Sequence, residues 1–124
     1  KTVQLMIEKD LRIKNANVLI LGVTFKENCP DVRNTKVADI YKELLKFGVN
    51  VDIYDPWAKK DEVQHEYGIE IIENLTKNKK YEAIIIAVAH NEFLALNLED
   101  LKVNNAVVFD TKACLDRNVV DARL

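Results

Sequence analysis

The chain has 124 residues, 48% of them hydrophobic and 31% charged, with a formal net charge of −2, the composition of a soluble globular domain large enough to bury its own core. That balance excludes general binding to nucleic acid or to a membrane surface, both of which need a basic excess, and no apolar run approaches a membrane span or a signal peptide. Cys29 and Cys114 lie far apart without CxxC spacing, which excludes a disulfide framework or a structural zinc site and suits a reducing cytoplasm.

Residues 2–11 set Val3, Leu5, Met6 and Leu11 among polar side chains and predict a short helix. The chain opens on Lys1 rather than Met, so it is expected to be a fragment, with residues 1–15 the end of a preceding helical segment. Residues 17–22 form a continuous apolar run, the pattern of a strand covered on both faces. Residues 35–47 carry Val37, Ala38, Ile40, Tyr41, Leu44 and Leu45 at helical spacing, with Asn34 or Thr35 as N-cap and Gly48 as C-cap. Residues 49–54 alternate as a second strand, stopped by Asp55 and Pro56. A weaker helix over 61–67 ends at Gly68, a short strand is possible at 70–72, and 75–79 reads as one or two helical turns. Residues 83–88, the most apolar run, predict the central buried strand; short helical pieces follow at 91–96 and 98–101, and another buried strand at 106–109. No repeat, low-complexity tract or flexible linker interrupts the series. Strands alternating with helices imply a mostly parallel sheet with right-handed crossovers, a three-layer α/β/α Rossmann-like domain.

The most informative stretch is residues 25–36, a long polar loop with Lys26, Arg33 and Lys36 between the first strand and a helix start. Unpaired N–H groups and the positive end of the dipole make such a place favourable for phosphate, and open α/β sheets bind ligands beyond the carboxyl ends of their strands. Strand-to-helix connections usually take two to six residues, and excess length there is more often functional than idle. The dinucleotide fingerprint GxGxxG is missing after the first strand, where Gly22 stands alone, so Asp52 and Asp55 are not read as ribose-gripping acids.

Residues 22–36, GVTFKENCPDVRNTK, strongly resemble the C-terminal, UDP-binding domain of the UDP-glucose/GDP-mannose dehydrogenase family. Supporting stretches follow in the family's order: VDIYDPW at 51–57, AVAHNEF at 87–93 and VFDTK at 108–112. The wording of the loop is most similar to the bacterial branch acting on UDP-N-acetylhexosamines in surface-polysaccharide synthesis. The resemblance implies that residues 16–124 form the UDP-binding domain of an NAD-dependent enzyme that oxidises the sugar C6 alcohol to a carboxylate. It also implies that the catalytic Cys, the general-base Lys and the main NAD site belong to other domains. The fragment is then inactive alone, and the parent is a homodimer or larger, joined largely through a helical domain. Phe25 and Lys26 are implied to line the UDP-sugar pocket, Lys112 to fall near a diphosphate-contacting position that is often Arg, and Arg33 to reach NAD across a cleft, with Asp31 orienting either Arg33 or the loop backbone.

Other readings compete at each residue. Loop charges are usually solvated, and Lys36 is expected to be an exposed first-turn residue. Cys29, beside Pro30 and with no nearby His, is read as a packing thiol rather than a nucleophile, and Cys114 as a buried apolar residue. His90 is expected at the crevice edge, with a capping or supporting role for His90 and Asn91 ahead of catalysis. Trp57 is expected to pack on the surface, against a neighbouring domain. For the whole chain, the alternative is a stand-alone Rossmann-like ligand-binding or regulatory module with no catalytic partner. No metal site is expected.

Overall fold

The computed structural model describes residues 2–9, 11–33, 35–76, 78–115 and 117–123, with Val119 and Arg123 as backbone only. In chain order the elements are α1 (Thr2–Glu8), β1 (Asn17–Leu21), α2 (Val37–Leu45), β2 (Asn50–Tyr54), α3 (Lys60–Tyr67), β3 (Tyr81–Ile86), α4 (Asn91–Leu94), β4 (Lys102–Asp110) and β5 (Ala122–Arg123), with 3₁₀ turns at Leu98–Asp100 and Arg117–Val119. The five strands form one sheet in the order β2-β1-β3-β4-β5, and every pairing is parallel.

Alternation along the strands builds both faces of the core. Val18, Ile20, Ala83, Ile85 and Val107 pack with Met6, Val37, Ala38, Leu44 and Val63 on the side of α1, α2 and α3. Leu19, Leu21, Ile84, Ile86 and Val108 face Tyr81, Phe93, Leu98 and Leu101 on the other. Burial on both sides explains why β1 and β3 read as unbroken apolar runs. The expected three-layer α/β/α fold is the one observed.

The strand order reverses between β1 and β3, because the chain runs from β1 outward to β2 and from β3 outward to β4 and β5. Sheets of this order open a crevice at that switch point, beyond the carboxyl ends of the two strands. Gly22 sits there with φ of +102°, and a Cβ at this position would lie 2.5 Å from Val88 Cβ, so the two post-strand segments meet at a contact that admits only hydrogen.

Several boundaries differ from expectation. α2 begins two residues late: Lys36 occupies the cap position without a side-chain bond, and Thr35 Oγ1 accepts the Val37 N–H at 3.2 Å. Asn34, the alternative cap, lies outside the described residues. The helix ends on Lys46, and Gly48, at φ +78°, closes the turn by donating to Leu45 O at 3.0 Å. No helix forms among the described residues of 75–79. That segment has one apolar residue, Leu75, to bury, and Lys79 instead extends to Asp52, Nζ to Oδ2 at 2.7 Å. The possible strand at 70–72 is a single bridge, Ile72 to Tyr54. Cys114 is half-buried, like Cys29, because its turn leaves the sheet edge and its Sγ lies 3.7 Å from Asp110 Oδ1.

Candidate functional site

β2 delivers Asp55 to the carboxyl edge of the sheet, where Pro56 ends the ladder and the carboxylate turns inward, 4% exposed. Its Oδ1 accepts the N–H groups of Trp57 at 2.8 Å and Ala58 at 3.2 Å. Its Oδ2 accepts those of Val23 at 2.7 Å and Thr24 at 3.1 Å. The same oxygen lies 3.0 Å from Nε2 of His90, which is fully buried. A buried carboxylate is costly unless its lone pairs are filled, and here five donors fill them.

His90 enters from the end of β3. Its Nδ1 accepts the Asn28 N–H at 2.8 Å, so that nitrogen carries no proton and Nε2 is the N–H that faces Asp55. Thr24 Oγ1 stands 3.1 Å from the same Nε2 and donates to Lys26 O at 3.0 Å. Asn28, at φ +54°, accepts the Asn91 N–H on Oδ1 at 3.0 Å. Trp57 stacks over His90 with ring centroids 6.0 Å apart, and its Nε1 donates to Glu92 Oε1 at 2.9 Å. That bond holds the Glu92 carboxyl below its ordinary range.

Asp55, His90 and Thr24 superficially suggest a catalytic triad. The geometry denies it: hydroxyl and carboxylate both meet Nε2, whereas proton relay needs them on opposite nitrogens. What the network does is stitch the first part of the loop inward at Thr24, Lys26 O and Asn28. Phe25, Lys26 and Glu27 are left exposed on a fixed backbone, Phe25 at 57%. The loop closes on itself where the Phe25 N–H meets Asp31 O at 2.7 Å. Tyr67 of α3 fastens its far end, donating to Val32 O at 2.6 Å.

Arg33 does not point away from its own loop. Its Nε and Nη2 each lie 3.0 Å from the Asp31 carboxylate, on Oδ1 and Oδ2 respectively. The paired hydrogen bonds draw the Asp31 carboxyl below its usual value and raise the guanidinium. The side chain is 75% exposed and lines a groove of about 400 Å³ against α3, whose other walls include Asp61, Glu62, His65 and Glu66. Neither Lys26 nor Lys112 is among those walls. Lys112 is exposed on the turn after β4, where its N–H donates to the buried Asp110 at 3.1 Å. Phe25, Lys26, Arg33 and Lys112 thus all lie on loops past the carboxyl edge of the sheet. Among the described residues, no three metal-ligating side chains converge.

Sequence reasoning placed the exposed cations and missed the scaffold beneath them. Trp57, half-buried, packs on His90 of its own domain, and His90 is interior rather than at the crevice edge, bonded with Asn91 to Asn28 in a supporting role. The available signal was positional: Asp55, His90 and Thr24 each follow a strand end at the switch point. The single Gly22 and the saturated Asp55 do not fit a dinucleotide at β1 in the usual way, which needs a glycine-rich turn and an acid able to reach a ribose.

A doubly wound parallel sheet with a hydrogen-bonded, cation-bearing loop at its switch point defines a Rossmann-like α/β domain. The sequence model of the UDP-glucose/GDP-mannose dehydrogenase family, UDP binding domain, matches residues 19–117, and the chain belongs to this family. It is 43% identical to a UDP-N-acetyl-D-glucosamine 6-dehydrogenase of Salmonella typhi, over 98% of this chain and 29% of that protein. A Pseudomonas aeruginosa protein of the same name is 42% identical over the same shares. The chain therefore spans under a third of the curated relatives it matches. Among solved structures, an NDP-N-acetyl-D-galactosaminuronic acid dehydrogenase from Methanosarcina mazei Go1 superposes with a TM-score of 0.81 at 23% identity, covering 94% of this chain and 25% of that one, a likeness of fold.

Proposed function

We propose that this chain is the nucleotide-sugar-binding part of an NAD-dependent UDP-sugar 6-dehydrogenase, which oxidises the C6 alcohol of a UDP-N-acetylhexosamine to a carboxylate for surface polysaccharide synthesis. The observation that carries this reading is the family match, which runs through the hydrogen-bonded loop where Phe25 and Lys26 are exposed. The names of the two bacterial relatives support the acetylated hexosamine.

In this reading the Lys26 ammonium, a compact charge on a flexible stem, meets the diphosphate or uridine, and the Phe25 ring offers an apolar face to the nucleotide. Lys112 adds a second cation from the β4 turn. Arg33 faces NAD held mainly by another domain, exchanging or sharing its Asp31 partner with a phosphate. NAD, when bound there, supplies the oxidising equivalents; the residues of this chain bind and orient the substrate. Residues 1–15 are the end of a helical segment preceding the 16–124 unit, and the parent assembles as a homodimer or larger through parts outside this chain. A reducing cytoplasm suits the half-buried thiols of Cys29 and Cys114. No helix among the described residues is long and apolar enough to cross a membrane.

The test is titration of the chain with UDP followed by heteronuclear NMR. Amides of the 25–36 loop are expected to shift, and Lys26→Ala to weaken the apparent affinity about tenfold, the scale of one charge-assisted contact. Unmoved loop amides at millimolar UDP would remove the pocket assignment.

A further inference from the structure

We propose that His90 is a positioning residue for nucleotide binding, acting through the Asn28 N–H to hold the Phe25–Lys26 face of the loop. The inference rests on the reading of the loop as the UDP site. Its foundation is the division of labour on one buried imidazole. Nε2 serves the interior, facing Asp55 Oδ2 at 3.0 Å and Thr24 Oγ1 at 3.1 Å. Nδ1 serves the loop alone, accepting from Asn28 at 2.8 Å. Asn28 is an exposed residue on a backbone at φ +54°, a left-handed conformation that asparagine adopts more readily than other non-glycine residues but that still lies above the extended and helical regions in energy, so neighbours help to hold it. Two contacts do, the N–H to His90 and Oδ1 to the Asn91 N–H, and both come from the segment after β3. Between the stitches at Thr24 and Asn28 lie Phe25 and Lys26. Ordering those residues before the ligand arrives lowers the entropy lost on binding, which is how a side chain that touches no ligand raises affinity.

The two nitrogens can be separated by substitution. Asn places an amide oxygen at about the depth of Nδ1 and keeps an acceptor for Asn28, losing the contact with Asp55. Gln reaches the depth of Nε2 and keeps a donor for Asp55, losing the acceptor for Asn28. UDP affinity is expected to fall about tenfold in His90→Gln and less than threefold in His90→Asn, while melting temperature falls in both. A purely structural role predicts instead that affinity follows stability whichever nitrogen is replaced.

Hydrogen exchange on the unmodified chain gives an independent readout: the Asn28 amide is expected to be protected although the residue is exposed. Should both His90 variants fail to fold, the exchange of the Asn28 amide in the parent chain stands as the test, since it needs no substitution. His90→Gln binding UDP as tightly as the parent chain, or an unprotected Asn28 amide, overturns the positioning role while leaving the UDP site intact. A parent chain that does not bind UDP at all overturns the underlying site reading, and the positioning role with it.

Discussion

Asp55 concentrates more hydrogen bonds than any exposed group of the loop. Four backbone N–H groups, from Val23, Thr24, Trp57 and Ala58, converge with His90 on one buried carboxylate. Removing the acceptor leaves those donors unpaired, two of them buried at Val23 and Thr24, so the cost includes the desolvation of the orphans and exceeds the modest net value of the bonds. Asp55→Ala is expected to destabilise the chain by about 3–5 kcal/mol, the range for breaking a buried charged network, measured by urea unfolding. A loss below about 1 kcal/mol would mean that water enters and the network is not closed. Lys26 makes the contrast: it is exposed, and its bond to Thr24 is made through the backbone O, so Lys26→Ala should leave stability unchanged and act on ligand alone.

At the scale of elements, the junction between β1 and β3 leaves no room for a side chain at Gly22. A methyl group at Gly22 would meet Val88 Cβ at 2.5 Å and its Cγ2 at 2.7 Å on a backbone at φ +102°. Both the clash and the strained conformation act together, and Gly22→Ala is expected to cost more than about 2 kcal/mol, read from the shift in urea midpoint. Across the same sheet Tyr81 reaches over β1 to Asp52, its hydroxyl donating to Oδ2 at 2.7 Å. Burial first, and then the Asp52 carboxylate, push its ionisation well above the ordinary value of 10.0. The folded chain keeps that proton where the unfolded chain has released it, so the contribution is complete below pH 10 and is lost as pH rises above it. Stability measured between pH 9 and 12 is expected to fall more steeply in the parent chain than in Tyr81→Phe. Equal slopes would remove the assignment.

These elements also show what a sequence can and cannot disclose. β1 and β3 were legible because strands buried on both faces leave continuous apolar runs such as Val18 to Leu21 and Ala83 to Ile86. Phe25, Lys26 and Arg33 were legible as a motif because they are close in the chain. The network beneath them was legible only as a strand stop at Asp55 and a supporting role for His90 and Asn91, since Asp55 lies 31 residues from Thr24 and His90 lies 62 from Asn28. The Asp31 hold on Arg33 was half legible, from spacing, but its bidentate geometry needed coordinates. β5 escaped because two residues carry no period.

For the molecule as a whole, the question is how far the folding unit extends. The family match begins at residue 19, yet α1 lies inside the packing. Met6 is fully buried among Ile20, Ile85 and Val107 and their neighbours. Lys9 spans to the opposite end of the chain, its Nζ 2.6 Å from Asp121 Oδ1 and 3.2 Å from Ala106 O. The half-exposed ion pair adds little in water. The buried thioether is the larger stabilising term, because a Met→Ala change in a packed core costs about 2–5 kcal/mol through lost transfer and the cavity left behind. Ile7, on the adjacent position of the same helix, is 61% exposed, so Ile7→Ala is expected to change stability by no more than about 0.5 kcal/mol. The pair separates two roles for α1 without altering chain length. If Met6→Ala costs several kcal/mol and Ile7→Ala almost nothing, α1 is part of the sheet's cover, and a loss of this size is a large fraction of the roughly 5–15 kcal/mol that holds such a domain together. The loop after β1 should then lose its order in the same urea transition as the sheet, since its stitches run to the ends of β2 and β3. Equal and small effects at both positions would instead make α1 an appendage, and the folding unit would begin at β1.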